Sequence, residues 1–294
     1  MIAAQTADTS RAAVTEYNLF CMKLTPAQIR LFQKTIYDFY AQHGRHDLPW
    51  RTGKVTPYST FVSEVMLQQT QVPRVISKYK EWMRAFPSWR SLATAELREV
   101  LQVWQGMGYN RRGKWLQESA KLIIEKHKGR LPSDPAELIS FPGIGPNTAA
   151  SIAAFGFDQP TVFIETNIRS VIIHHFFADK EGISDADILP LVKQTLDRAQ
   201  PHRWYSAIMD YGTQLKADNS NPSRRSRHHT KQSKFEGSLR QIRGAILKSL
   251  AHGGRKTAAQ LTKEAGFTKE RVEQAAAGLR KDGMLQLTDK QFFI

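Results

Sequence analysis

The chain has 294 residues, with 42 lysines and arginines against 27 acids and a formal net charge of +15. That length fits one large and one small domain, and that charge draws polyanions from a distance. The single cysteine, Cys21, excludes an internal disulfide framework and a four-thiolate cluster, and no apolar run is long enough to span a membrane. The first residues lack a basic-then-apolar leader, so an intracellular protein is expected.

In chain order, residues 1–23 are small and polar without a sustained period and read as a disordered tail, in which Met22 is an alternative start. From Thr25 the apolar period predicts helices near 26–43, 58–70, 73–86, 96–106, 109–127, 134–140, 146–156, 166–177, 185–200 and 203–215. No alternating strand pattern precedes residue 284, so the main body (24–215) is all-α. Residues 216–237 read as a basic linker. Within 216–234, Lys216, Arg224, Arg225, Arg227, Lys231 and Lys234 stand against Asp218 alone. A phosphate-contacting segment and a solvated hinge are equally open for it. His228 and His229 have no companions at metal-ligand spacing, so no metal site is expected. Residues 238–294 carry helices near 239–252, 257–265 and 268–282. A strand pair follows at 284–288 and 291–294, turning at Asp289-Lys290 without the favoured glycine. Three helices and a hairpin describe a winged-helix-like domain, with 11 basic against 5 acidic residues. A helix around Thr268–Arg280 fits a major groove, while a docking or dimerisation module has the same pattern.

Three segments carry candidate chemistry. In 58–70, Glu64 is the only charge among apolar neighbours. In an apolar cleft its carboxyl resists ionisation and donates a proton, although a solvated face or a capping contact has the same pattern. Gln68 and Gln69 lie one turn on and are shaped to fill the gap left by an extruded base. In 138–149, Pro142-Gly143-Ile144-Gly145-Pro146 is a glycine-pinned turn between helices. Bare amides at such a helix start form an anion socket, and in so basic a chain the anion is a nucleic-acid phosphate. An ordinary core turn would also use glycines. The bracketing prolines and the small-residue run Thr148–Ala154 favour the first reading. Glu165 follows an apolar run and precedes a helix that Thr166 or Asn167 would cap. Helix dipole and amides would keep it ionised. A fixed carboxylate beside a partly buried acid suits glycosidic chemistry.

Leu48-Pro49-Trp50, Thr56-Pro57-Tyr58, the run from Ser63 to Val72, Trp104-x-Gly106-x-Gly108-Tyr109 and Phe141-Pro142-Gly143-Ile144-Gly145 occur in an order and spacing that closely resemble MutY-type adenine DNA glycosylases of the helix-hairpin-helix superfamily. The resemblance covers roughly residues 25–215. It implies a two-subdomain helical fold on double-stranded DNA carrying a mispaired or damaged base, with a nucleotide flipped into a cleft. It further implies that Glu64 protonates the adenine and that a carboxylate stabilises the sugar cation. DNA contacts fall to Gln68, Gln69, Tyr109, Gly143, Gly145 and Asn167, with Arg224, Arg225 and Arg227 from the basic stretch. In this superfamily the hairpin carbonyls also hold a monovalent cation.

Four departures from that family stand out. Its aspartate position holds Glu165, whose extra methylene moves the carboxylate by roughly 1.5 Å. Asn147 stands where bifunctional relatives such as endonuclease III place a Schiff-base lysine; it orients water or the flipped nucleotide instead, and strand cleavage through it is not expected. Met209-Asp210-Tyr211-Gly212 is present, but Lys216 stands at the first cysteine of the iron–sulfur cluster, so a clusterless protein without other cofactor is expected. The winged-helix-like domain replaces the usual reader of 8-oxoguanine. The expected activity is therefore a monomeric, monofunctional excision of adenine opposite 8-oxoguanine or guanine. Excision of thymine or uracil opposite guanine, and non-catalytic lesion binding, are the alternatives.

Overall fold

The computed structural model describes residues 23–218, 221–230, 233–252 and 254–294. The expected tail lies outside them except for Lys23. The helices are α1 Pro26–His43, α2 Pro57–Leu67, α3 Val72–Ala85, α4 Trp89–Thr94, α5 Leu97–Val103, α6 Arg111–Lys126, α7 Pro135–Leu138, α8 Pro146–Phe157, α9 Thr166–Phe176, α10 Asp185–Thr195, α11 Pro201–Asp218, α12 Leu239–Ala251, α13 Ala258–Ala265 and α14 Lys269–Lys281. A small sheet, β1 Lys256–Thr257, β2 Gln286–Thr288 and β3 Gln291–Phe293, has the antiparallel order β1-β3-β2. Among the described residues, no helix is long and apolar enough to cross a membrane. Among the described residues the fold is all-α but for that sheet.

Two compact units divide the chain, and the division falls inside α8. The first takes residues up to Asp47 and those from Ala153 to Lys231. In it α1, α9 and α11 pack together around Phe32, Ile36, Val171, Ile172, Trp204 and Tyr205. Thr25 starts α1 with a reciprocal capping box to Gln28, and Pro26 stands at the first position, where its missing N–H is harmless. His175 of α9 is half-buried beside Phe32 and Tyr211, and desolvation there, with His174 next to it, lowers its pKa to about 3, so it stays neutral.

The second unit takes Leu48 to Ile152 together with the C-terminal residues. Here the structure departs from the expected separate module. Leu101 of α5, 3% exposed, belongs to the same apolar cluster as Ile242, Ile246, Leu261, Val272, Leu279 and Phe292, and Leu97 packs against it. Gln102 donates to Ala251 O, and Lys114 of α6 donates to Asp282 O at 2.8 Å. The winged-helix-like residues therefore share a core with 48–152. The expected hairpin turn forms at Asp289 (φ 50°) and Lys290 (φ 59°) despite the absence of glycine.

The expected linker at 216–237 also differs. Lys216 is in the last turn of α11, and Pro222–Arg225 is a 3-10 turn with Pro222, Ser223 and Ser226 buried. Arg225 donates to Ile173 O, Phe177 O and Lys180 O, satisfying carbonyls at the end of α9, and Ile183 bridges Ser226. A guanidinium offers five donors, which is why a basic stretch can fold down onto a helix end.

Candidate active site and nucleic-acid contacts

In α2 the capping box between Thr56 and Ser59, with Pro57 at its start, fixes where the helix begins. Eight of its eleven residues are buried, and Glu64 is half-buried among them. Its Oε2 accepts a hydrogen bond from Ser151 Oγ of α8. A serine hydroxyl both donates and accepts, so it can hold this carboxyl in either protonation state. Ser151 was read in sequence only as a member of the small-residue run Thr148–Ala154. Its position one turn after Asn147 is the signal that could have marked it. Asn147, exposed in the first turn of α8, shares that helical face.

The hairpin forms as expected. Ile144 N donates to Phe141 O at 3.1 Å and Ala149 N to Gly145 O at 2.9 Å. Its two glycines act differently. Gly143 has φ +75°, and a Cβ there would stand 2.2 Å from the Trp115 ring. At Gly145 a Cβ would meet nothing within 4 Å, and the residue is exposed. Only Gly145 matches a bare tip open to a phosphate; Gly143 serves a turn closed over Trp115. Gln68 Nε2 donates to Gly143 O at 3.2 Å and Thr148 Oγ1 at 3.3 Å, so it ties the end of α2 to the hairpin.

Arg112 escaped the sequence reading. It is 4% exposed, and its guanidinium donates to Val65 O, Met66 O and Gln68 O, to Thr70 Oγ1, and to Met107 O and Gly108 O. One buried cation thus clamps two turns, those carrying Gln69 (φ 53°) and Tyr109 (φ 46°). Both residues sit in the left-handed region, rare for side chains of this size. Burial pulls Arg112 down to about 10, which leaves it charged at neutral pH.

In the other unit, Glu165 is itself the N-cap of α9, rather than Thr166 or Asn167. Its carboxylate accepts from Asn167 N at 2.7 Å, Ile168 N at 2.9 Å and Asn167 Nδ2 at 3.1 Å. The glutamate stem is long enough to fold back on the amides it precedes. Asn167 Oδ1 in turn accepts from Thr213 at 3.4 Å, so this side chain braces Glu165. The Met209-Asp210-Tyr211-Gly212 segment supports that start. A Cβ at Gly212 would lie 2.5 Å from Asn167 O, and buried Asp210 accepts from Arg45 N and its guanidinium. Lys216, half-buried, feels the Glu165 charge. Burial lowers its pKa, Glu165 opposes that, and Arg45 adds to it. Of the three basic-stretch arginines, Arg225 and Arg227 donate to backbone carbonyls, and Arg224 is exposed.

Residues 62–189 match the family of HhH-GPD superfamily base excision DNA repair proteins. The chain is 35% identical over 186 residues to an adenine DNA glycosylase of Buchnera aphidicola subsp. Baizongia pistaciae, covering 62% of this chain and 52% of that one. It is 36% identical over 213 residues to the adenine DNA glycosylase of Homo sapiens, covering 69% and 38%. The chain thus spans about half or less of the curated relatives it matches. Among solved structures, a thermostable thymine-DNA glycosylase superposes with a TM-score of 0.58 at 20% identity, covering 67% of this chain and 91% of that one. An endonuclease III in a non-covalent DNA complex gives 0.50 at 19%, covering 73% and 91%. These two show a common fold.

Proposed function

Given the HhH-GPD superfamily domain at residues 62–189, we propose that the protein acts inside the cell, as a monomer on double-stranded DNA, excising a mispaired adenine by hydrolysis of its N-glycosidic bond. The observation that carries this is Glu64. It is the one charged residue of a largely buried helix, and a serine from the second helix of the hairpin holds it. In this reading Glu64 protonates the adenine ring of a flipped nucleotide, which makes the base a better leaving group. Positive charge develops on the sugar as the bond breaks, and the capped Glu165 carboxylate offsets it. Water then adds and leaves an abasic site. Asn147 orients that water or the nucleotide. Its amide has no basic amine, so no Schiff base forms there and strand cleavage by that route is not part of the activity.

Gly145 and the first turn of α8 take a phosphate through backbone amides, as does exposed Arg224 through its charge. Gly143 O and Gly145 O each accept one hydrogen bond and keep a second lone pair, a donor set that fits a weakly held monovalent cation. An iron–sulfur cluster does not fit. Cys21 is the only cysteine, and Lys216, facing the charge of Glu165, stands where the first ligand would be.

The test uses duplexes carrying A opposite 8-oxoguanine, A opposite G, T opposite G and U opposite G, each followed by hot alkali. Cleavage of the adenine strand alone, lost in Glu64→Gln while duplex binding persists, is the expected result. Cleavage of only a pyrimidine strand would reassign the substrate. Tight binding with no alkali-labile product would make the protein a lesion binder. Borohydride should trap no protein–DNA adduct.

A further inference from the structure

The C-terminal sheet has one face in the core and one in solvent. Phe292 belongs to the apolar cluster, so alternation along β3 turns Gln291 and Phe293 outward. The register sets Thr257 of β1 beside Gln291, and Gln286 and Thr288 of β2 beside Phe293 and Gln291. β2 is an edge strand, and all three of its residues are exposed. The outer face so assembled contains no acid. Arg255, just before β1, lies over it, with its guanidinium carbon 4.5 Å from the centre of the Phe293 ring. Arg255 is exposed and, among the described residues, makes no hydrogen bond or ion pair. A ring holds its charge in place while its five donors stay unspent. Other cations of the module are occupied. Lys256 donates to Glu264 at 2.6 Å, Arg240 to Tyr109 and Ser233, Arg243 to Asp282, and Arg271 to Gly237 O.

Helix α14 offers a different surface. Its first two turns expose Glu270 and Glu273, and Lys269 stands 4.0 Å from Glu273. At its other end Asp282 is taken by Arg111 and Arg243. Two exposed acids at the leading end of a helix oppose entry between rows of phosphates.

We propose that the outer face of this sheet, anchored by Arg255, is a further contact to duplex DNA that grips the phosphate backbone in place of a groove-reading α14. The proposal rests on the reading that the protein acts on double-stranded DNA, and it gives the C-terminal module a role that reading leaves open. Threonine hydroxyls, glutamine amides and a guanidinium are donors suited to phosphate oxygens, and such contacts position a duplex without reading its sequence. An arginine already stacked on a ring loses less freedom on binding. A protein-docking face would present an apolar centre, whereas here the Phe293 ring is roofed by a guanidinium.

The test is equilibrium binding of the full chain to an undamaged duplex across a salt series. Arg255→Ala should weaken binding about threefold or more at low salt, and lower the slope of log affinity against log salt by about one. Arg280→Ala removes the same charge from exposed α14 and should leave that slope as it is. Gln286→Glu, an isosteric change on the exposed edge strand, adds an acid beside Phe293 and should weaken binding with Arg255 intact. Wild-type affinity and slope in Arg255→Ala, or an equal loss in Arg280→Ala, overturns the proposal. A wild-type dimer that Arg255→Ala takes apart, with duplex affinity unchanged, also overturns it and makes the face an interface between copies. If the wild-type protein binds duplexes but excises no base, the excision reading fails alone and the salt series still decides this face. A wild-type protein without affinity for any duplex removes both.

Discussion

Glu165 shows how a single methylene is absorbed. Its carboxylate bends back onto Asn167 N and Ile168 N and becomes the cap of α9. Aspartate is itself among the best caps, so Glu165→Asp should leave the melting temperature within a degree or two of wild type. The carboxylate would shift by about one bond, a displacement that can change a rate by about a hundredfold, so single-turnover excision should change on that scale. An unchanged rate would reduce Glu165 to a cap. Ser151 belongs at the same scale. Its hydroxyl holds Glu64, and hydrogen bonds to charged groups contribute about 1.5–3 kcal/mol. Ser151→Ala should therefore slow excision about ten- to a hundredfold with duplex affinity nearly unchanged, read from single-turnover rates beside a binding titration.

At the scale of elements, the hairpin separates two jobs that the motif runs together. Gly143→Ala puts a side chain in a left-handed conformation, at about 1–2 kcal/mol, and drives it into Trp115, at about 1–3 kcal/mol more. Thermal or denaturant unfolding should show a loss of several kcal/mol. Gly145→Ala meets open space, so stability should move by no more than about 0.5 kcal/mol while duplex affinity falls, because a methyl group then stands where a phosphate approaches. A Gly145→Ala protein with unaltered DNA affinity would place the anion elsewhere. Short elements escaped the sequence for a related reason. Trp89–Thr94 is six residues and β1 is two, too few for a period to appear.

At the scale of the molecule, the C-terminal residues are part of a unit rather than an appendage. Leu101 belongs to the same apolar cluster as residues of α12, α13 and α14, and α14 ends at Asp282, which binds Arg111 and Arg243. A chain ending before Ser233 should lose about 2–5 kcal/mol from the unit it leaves behind, the scale of uncovering a core leucine, seen in denaturant unfolding of 1–232 beside the full chain. Equal stability would make the module independent. The anchoring of Asp282 also bears on α14 as a groove reader, since its C-terminal end is engaged within its own unit.

Local signals were legible in the order of residues alone. Periodicity and caps placed α1 at its observed bounds, the Pro-Gly-Ile-Gly-Pro run set the hairpin, and the isolated acid in α2 singled out Glu64. The charge balance pointed to a polyanion without saying which. Tertiary structure decided what depends on residues distant in the chain: Ser151 on Glu64, Trp115 against Gly143, Arg112 across two turns, and Arg240 on Tyr109. It also turned a basic stretch from linker to scaffold, by giving the Arg225 donors the end carbonyls of α9. The division is physical. Helix starts and turns depend on neighbours within about four residues, whereas a donor's acceptor or a glycine's missing side chain is defined by whatever the fold brings against it.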